Sequence, residues 1–175
     1  MHLLIEFGNS NKSPILQLVD KVSFFDEFSD SEKIEIINRK SMIKKYEKKG
    51  STIFSEGSKG GSVIIVLAGQ IIITKASIPP TEEGRVSIVN PKDVTLATLG
   101  VGSLVGEVSM LSEKRRSTGV ITSTTVVIIL EITKQDLQSF NSSIQGKLHS
   151  QFIAILINRL EDMNEKFGRS QMKTQ

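Results

Sequence analysis

Between Thr52 and Ile132 the chain is a succession of short β-branched runs, and none is long enough for a helix of ordinary length. They are Thr52-Ile53-Phe54, Val63 to Leu67, Ile71 to Thr74, Val86 to Val89, Val94 to Leu99, Gly119 to Thr122 and Val126 to Ile132. Branching at Cβ crowds the preceding turn of a helix but packs well on a pleated surface. Gly50, Gly57, Gly60-Gly61, Gly69, Gly100 and Gly102 fall between the runs, where tight turns would join them. Repeated short strands at this spacing predict an all-β sandwich or barrel.

Helical patterns flank that region. Pro14 to Val19 suits a first turn opened by Pro and capped by Ser13. Ser29-Asp30-Ser31 looks like the cap of a second helix running from Glu32 to Met42, with Phe24, Phe25 and Phe28 before it as core residues. After Ile132 a short helix is expected over Lys134 to Phe140, a break over Asn141 to Gly146, and a long helix from Lys147 to about Phe167. On that helix His149, Ile153, Leu156, Leu160, Met163 and Phe167 recur at alternating steps of four and three, a coiled-coil seam in miniature. Leu156, Leu160 and Met163 are therefore the candidates for a homodimer contact, whereas Phe152 and Ile155 lie off the seam and suit packing against the barrel. The fold class expected is mainly β with flanking helices.

Composition excludes more than it suggests. With no cysteine and only His2 and His149 as imidazoles, disulfides and thiolate metal sites are ruled out and other metal sites have few ligands. A net charge of +3 is too mild for a dedicated nucleic-acid binder. The apolar runs are too short to span a bilayer, and Met1 to Glu6 lacks the basic start and apolar stretch of a secretory signal, so a cytoplasmic location is expected. Arg39-Lys40, Lys44-Lys45 and Lys48-Lys49 read as a solvated face ahead of the first strand, with a partner-binding patch as the alternative. Lys75 to Asp93, with Pro79-Pro80, is longer than an ordinary hairpin and reads as a tolerated insertion; contact with a partner is the alternative.

The chemistry concentrates in residues 104–118. Gly106 permits a turn that brings main-chain N–H groups close to a ligand, and Glu107 to Leu111 suit one short helical turn whose free N–H groups favour an anion. Arg116 can offer a planar fork of donors to two phosphate oxygens, with the Ser117 hydroxyl beside it. Glu107, an acceptor-only carboxylate, is matched to a sugar hydroxyl. These groups have the chemistry of a pocket for one phosphate and one ribose.

At these residues the chain resembles the cyclic nucleotide-binding domain family, which includes catabolite activator proteins and the regulatory subunits of protein kinase A. The family's phosphate-binding cassette reads roughly Phe-Gly-Glu-Leu-Ala-Leu-Leu, a few loop residues, then Pro-Arg-Ala/Thr/Ser-Ala. Val105 to Leu111 and Arg115 to Thr118 match it without a gap, with Val105, Ser109 and Arg115 departing from the usual Phe, Ala and Pro. The resemblance implies a β-roll between helices and one cyclic nucleotide-binding domain over 14–170. It would comprise an N-terminal helical segment (14–48), the roll (49–133) and C-terminal helices (134–170), with tails at 1–13 and 171–175. It further implies that Gly106, Glu107, Val108, Ser109, Arg116, Ser117 and Thr118 bind cAMP or, alternatively, cGMP. Met163 and Asn164 would meet the base. No cofactor, metal, catalytic residue or membrane contact is implied, and the eight residues after Phe167 are too few for a DNA-recognition helix. The function expected is a stand-alone receptor that signals through its last helix to a dimer or protein partner. A β-roll interaction module without nucleotide, or a receptor for a cyclic dinucleotide, are the alternatives.

Overall fold

A computed structural model describes residues 13–76 and 93–172; the Val86 to Val89 strand expected within the insertion lies outside them. Helix α1 (Pro14–Val19) starts where predicted, with Ser13 Oγ accepting from the Leu16 amide at 3.2 Å. A 3-10 turn (Ser23–Phe25) leads to α2 (Asp30–Ile37), which opens with a reciprocal capping box between Ser29 and Glu32. This second helix stops five residues short of the expected Met42, and Lys40–Met42 form a separate 3-10 turn.

The strands are β1 (Ile43–Tyr46), β2 (Thr52–Phe54), β3 (Ser62–Ala68), β4 (Ile71–Ala76), β5 (Asp93–Leu99), β6 (Leu104–Val105), β7 (Gly119–Thr122) and β8 (Val127–Thr133). They form two four-stranded antiparallel sheets, ordered β1-β8-β3-β6 and β2-β7-β4-β5. A six-residue helix α3 (Glu107–Ser112) interrupts the strands after β6. The chain closes with α4 (Lys134–Ser139) and α5 (Ser142–Met172).

Strand β3 explains why its sequence is an unbroken apolar run. Val63, Ile65 and Leu67 join a core with Phe24, Phe25 and Phe28 from the N-terminal segment and Phe152 from α5, while Ile64 and Val66 join Val120, Val127 and Ile129 between the sheets. Side chains alternate across a strand, so one strand supplies two cores only if both parities are apolar. The same division on β8 sends Leu130 and Ile132 to the helices and Val127 and Ile129 to the other sheet. Phe24 lies 4.9 Å from Phe25 and 5.9 Å from Phe152 between ring centroids, tying the N-terminal turn to the last helix.

Two elements differ from expectation. Strand β1 occupies part of the basic stretch read as solvated surface. Ile43 and Tyr46 pack against the cores, while Lys44 and Lys45 are exposed, and two consecutive lysines hide the alternation a strand should show. The break before the long helix is also shorter than expected: Asn141 Oδ1 accepts from the Ile144 amide at 3.0 Å and opens α5 at once, leaving Gly146 inside it. Ile144, Leu148 and Phe152 are buried along one face of α5, whereas its second half projects with Ile157, Leu160 and Met163 exposed. Among the described residues no helix is long and apolar enough to cross a membrane.

Helices α2 and α5 are joined at Glu32. Its carboxylate receives Lys147 Nζ at 2.6 Å, Ser143 Oγ at 2.7 Å and the Ser29 amide at 2.8 Å. Led by the lysine, these donors hold its pKa down to about 2 from 4.5. A depressed carboxylate pKa contributes stability that is fully present above 4.5 and is lost as pH falls toward 2. Urea unfolding between those limits should show wild type losing stability with acid more steeply than Glu32→Gln, and parallel profiles would remove this contribution.

Candidate functional site

The site is assembled where β6 gives way to α3. Gly106 has φ 98°, in the left-handed region open chiefly to glycine. A second constraint acts at the same position: a Cβ there would lie 2.3 Å from Arg116 Nη1 and 2.8 Å from the Ser62 carbonyl oxygen. The glycine thus lets the backbone turn and lets a guanidinium come against it. Gly60 serves a similar close approach, since a Cβ on it would meet Ser109 Cβ at 2.4 Å and the Lys114 carbonyl oxygen at 2.5 Å.

Arg116 is clamped through its backbone, its amide donating to Ser58 O and its carbonyl accepting from Gly57 N, both at 2.8 Å. Its side chain turns inward and the residue is only 5% exposed. Nη2 donates to the Ser62 carbonyl at 2.6 Å and to Ser62 Oγ at 3.0 Å, Nη1 donates to the Gly106 carbonyl at 3.1 Å, and the guanidinium lies 3.8 Å from the Phe54 ring centroid. Nε is buried without a hydrogen-bond partner. Burial pushes the guanidinium pKa down, and the carboxylates of Glu131 and Glu107 oppose that shift. Arg115 instead stays exposed and donates to Gly57 O at 2.8 Å.

Glu107 is 1% exposed and is ion-paired with Arg159 of α5, whose other terminal nitrogen donates to Leu104 O. Together these groups border a cavity of about 310 Å³. Phe54, Ile73, Leu99, Val105 and Val120 make its apolar wall; Gly106, Glu107, Val108, Ser109, Arg116, Ser117, Thr118 and Arg159 complete it. The cassette residues singled out from the sequence therefore share one cavity. Met163 and Asn164 do not line it: both are exposed, farther along α5. The residue of α5 that borders the cavity is Arg159, about one helical turn earlier. Sequence reasoning passed over it because an arginine on a polar helix face reads as surface. Its one signal is isolation, as it is the single lysine or arginine between Lys147 and Lys166.

The arrangement can present a cation and a carboxylate to one small ligand held against a mostly apolar wall. Among the described residues no group of three or more metal-ligating side chains comes together. The tight approach at Gly106 makes a direct test. Gly106→Ala should cost about 1–3 kcal/mol in urea unfolding, through the positive φ and the contact with Ser62 O. An unchanged midpoint would mean that the turn relaxes freely.

A family model for the cyclic nucleotide-binding domain matches residues 81–143. No curated protein sequence matches the chain. Among solved structures, the Thermus thermophilus catabolite activator protein superposes with a TM-score of 0.63 at 20% identity, over 85% of this chain and 62% of that one. A cyclic nucleotide-binding domain from Methylobacillus flagellatus kt gives a TM-score of 0.64 at 22% identity, over 87% and 79%. The regulatory domain of Toxoplasma gondii protein kinase A, co-crystallised with cAMP, gives 0.56 at 17% identity, over 78% and 48%. The chain thus spans under two thirds of the length of the Thermus protein. The family model matches the stretch that carries the cassette, and the solved structures share the two-sheet fold.

Proposed function

We propose that this chain is a receptor module for a cyclic nucleotide, cAMP ahead of cGMP. One observation carries the proposal: a guanidinium is buried in the wall of a cavity with its Nε unpartnered, and a buried carboxylate borders the same space. A buried donor without a partner is costly, and an anion in the cavity would satisfy it once the guanidinium turns toward that space. The cavity, at about 310 Å³, is at the small end for ligand pockets, which favours one mononucleotide over a cyclic dinucleotide.

The protein's own bonds refine the roles. Both Nη2 hydrogens of Arg116 are engaged by Ser62, so the phosphate meets Nε–H and the remaining Nη1 hydrogen after a small turn of the guanidinium toward the cavity. The Ser117 hydroxyl and the amides of Val108 and Ser109 add donors. Arg159 engages Oε1 of Glu107 and leaves Oε2 to accept from the ribose 2′-OH. Thr118 and the apolar wall face the rest of the ligand. Contacts to the base from Met163 or Asn164 belong to a state in which α5 has moved over the mouth. The Arg159–Glu107 pair is then the contact that differs between states, and a ligand can shift an equilibrium only by such a difference. The output is a surface of α5 offered to a second copy or another protein. A β-roll that binds no nucleotide is the second possibility, favoured by the fact that Glu107 and Arg116 already have protein partners.

Calorimetry with cAMP, cGMP and cyclic dinucleotides tests the assignment, and no binding of any of them would overturn it in favour of that second possibility. Arg116→Ala should weaken cAMP binding by at least about tenfold, because it removes hydrogen bonds to a charged group. Glu107→Gln should hurt less, since an amide oxygen still accepts, and Arg115→Ala should matter little.

For the output, Leu160 and Met163 are 58% and 53% exposed, and half-buried Leu156 lies on the same stripe. If they form a homodimer seam, Leu160→Glu should sediment as monomer where wild type sediments as dimer. A dimer that survives the change uses another surface.

A further inference from the structure

A chain of polar side chains runs behind the cavity wall, from Arg116 along the inter-sheet face of the first sheet to its edge strand β1. Arg116 Nη2 donates to Ser62 Oγ at 3.0 Å, Ser62 Oγ donates to Glu131 Oε1 at 2.6 Å, and Lys44 Nζ meets Glu131 Oε2 at 2.5 Å. The direction is forced: a guanidinium can only donate, an ionised carboxylate can only accept, and a serine hydroxyl has one hydrogen to give. Strand register builds the chain. Thr133 and Glu131 of β8 oppose Ser62 and Ile64 of β3, so Ser62 and Glu131 are diagonal neighbours. Neither Ser62, Glu131 nor Lys44 borders the cavity.

We infer that Glu131, acting through the Ser62 hydroxyl, is a positioning residue that holds the Arg116 guanidinium ready for an anionic ligand. This rests on the cyclic nucleotide reading of the cavity and adds to it a residue outside the cassette. A buried cation needs a counter-charge as well as hydrogen-bond acceptors. The direct acceptors of Arg116 are the neutral oxygens of Gly106 and Ser62, and Glu107 is already paired with Arg159. Glu131 is the other nearby carboxylate acting on Arg116, and its side chain is only 16% exposed. Lys44 takes its far oxygen from the solvent side, at 48% exposure, which keeps the carboxylate aimed inward at Ser62. The arrangement makes the hydroxyl rotor of Ser62 part of the binding machinery, although Ser62 does not border the cavity.

The sign of one substitution separates positioning from simple electrostatics. A carboxylate behind an anion site repels the anion, so charge alone predicts tighter binding after Glu131→Gln. Positioning predicts weaker binding, by about tenfold. Calorimetry with cAMP on Glu131→Gln, Ser62→Ala, Ser62→Thr and the Glu131→Gln/Ser62→Ala pair reads this out. The pair should be little worse than either single change, because both break one path, and Ser62→Thr should restore affinity by keeping the hydroxyl. Unchanged or tighter binding in Glu131→Gln, or additive losses in the pair, would overturn the inference. A ligand-free readout keeps the two levels apart: the Arg116 Nε–H signal in nitrogen-edited NMR, identified by its loss in Arg116→Lys. It should exchange slowly with solvent in wild type and faster in Glu131→Gln and Ser62→Ala. If wild type binds no cyclic nucleotide, the functional assignment fails while the exchange rates still decide the relay, and equal rates would sink it.

Discussion

The guanidinium of Arg116 is the charge around which the cavity is arranged. Removing a cation from water is expensive unless acceptors and opposite charges replace the solvent. Here the replacements come from separated parts of the chain: the Gly106 turn, the Ser62 end of β3, the Phe54 ring and, more remotely, Glu131 of β8. Each requires its strand in register. A one-residue slip of β3 against β8 would carry Ser62 to the opposite face and leave the cation without its nearest acceptors. Cavity and roll are for this reason one construction.

Two-sided burial on β3 and β8 makes that construction stiff. Each strand contributes alternate side chains to the inter-sheet core and to the helix-covered core, so the wall carrying Ser62 and Glu131 is packed on both faces. Close-packed interiors transmit displacement instead of absorbing it. The less tightly packed partner is α5. Its first half is anchored by Ile144, Leu148 and Phe152 and by the Glu32–Lys147 pair, whereas beyond Leu156 its described side chains are exposed. Arg159 sits at the start of that free half and reaches back to Glu107 and Leu104. A single arginine therefore links the cavity to the half of the helix with the fewest other contacts.

What could be read from residues alone follows from locality. The glycine-punctuated strands, the Ser13 and Ser29 caps, the phenylalanine core and the short helix after Gly106 depend on a few neighbouring residues, and the structure forms those that fall within the described residues. The cassette was legible because its residues lie within a span of thirteen, Gly106 to Thr118, so one loop can bring them around one space. Strand β1 was not legible, because Lys44 and Lys45 break its alternation. One of those lysines reaches the buried polar chain at Glu131, a partner 87 positions away that no local pattern could supply.

The sequence by itself determined the β-rich class, the order of the elements and the residues that converge around Gly106, because periodicity, capping and turn chemistry are properties of short windows. Only the tertiary structure decided that Arg159, not Met163 or Asn164, borders the cavity, and that Ser62 and Glu131 stand behind Arg116. Those placements depend on which turn of α5 passes the rim and on how β8 registers against β3. Both are set by packing among segments far apart in the chain, where each side chain's neighbour is chosen by the fold.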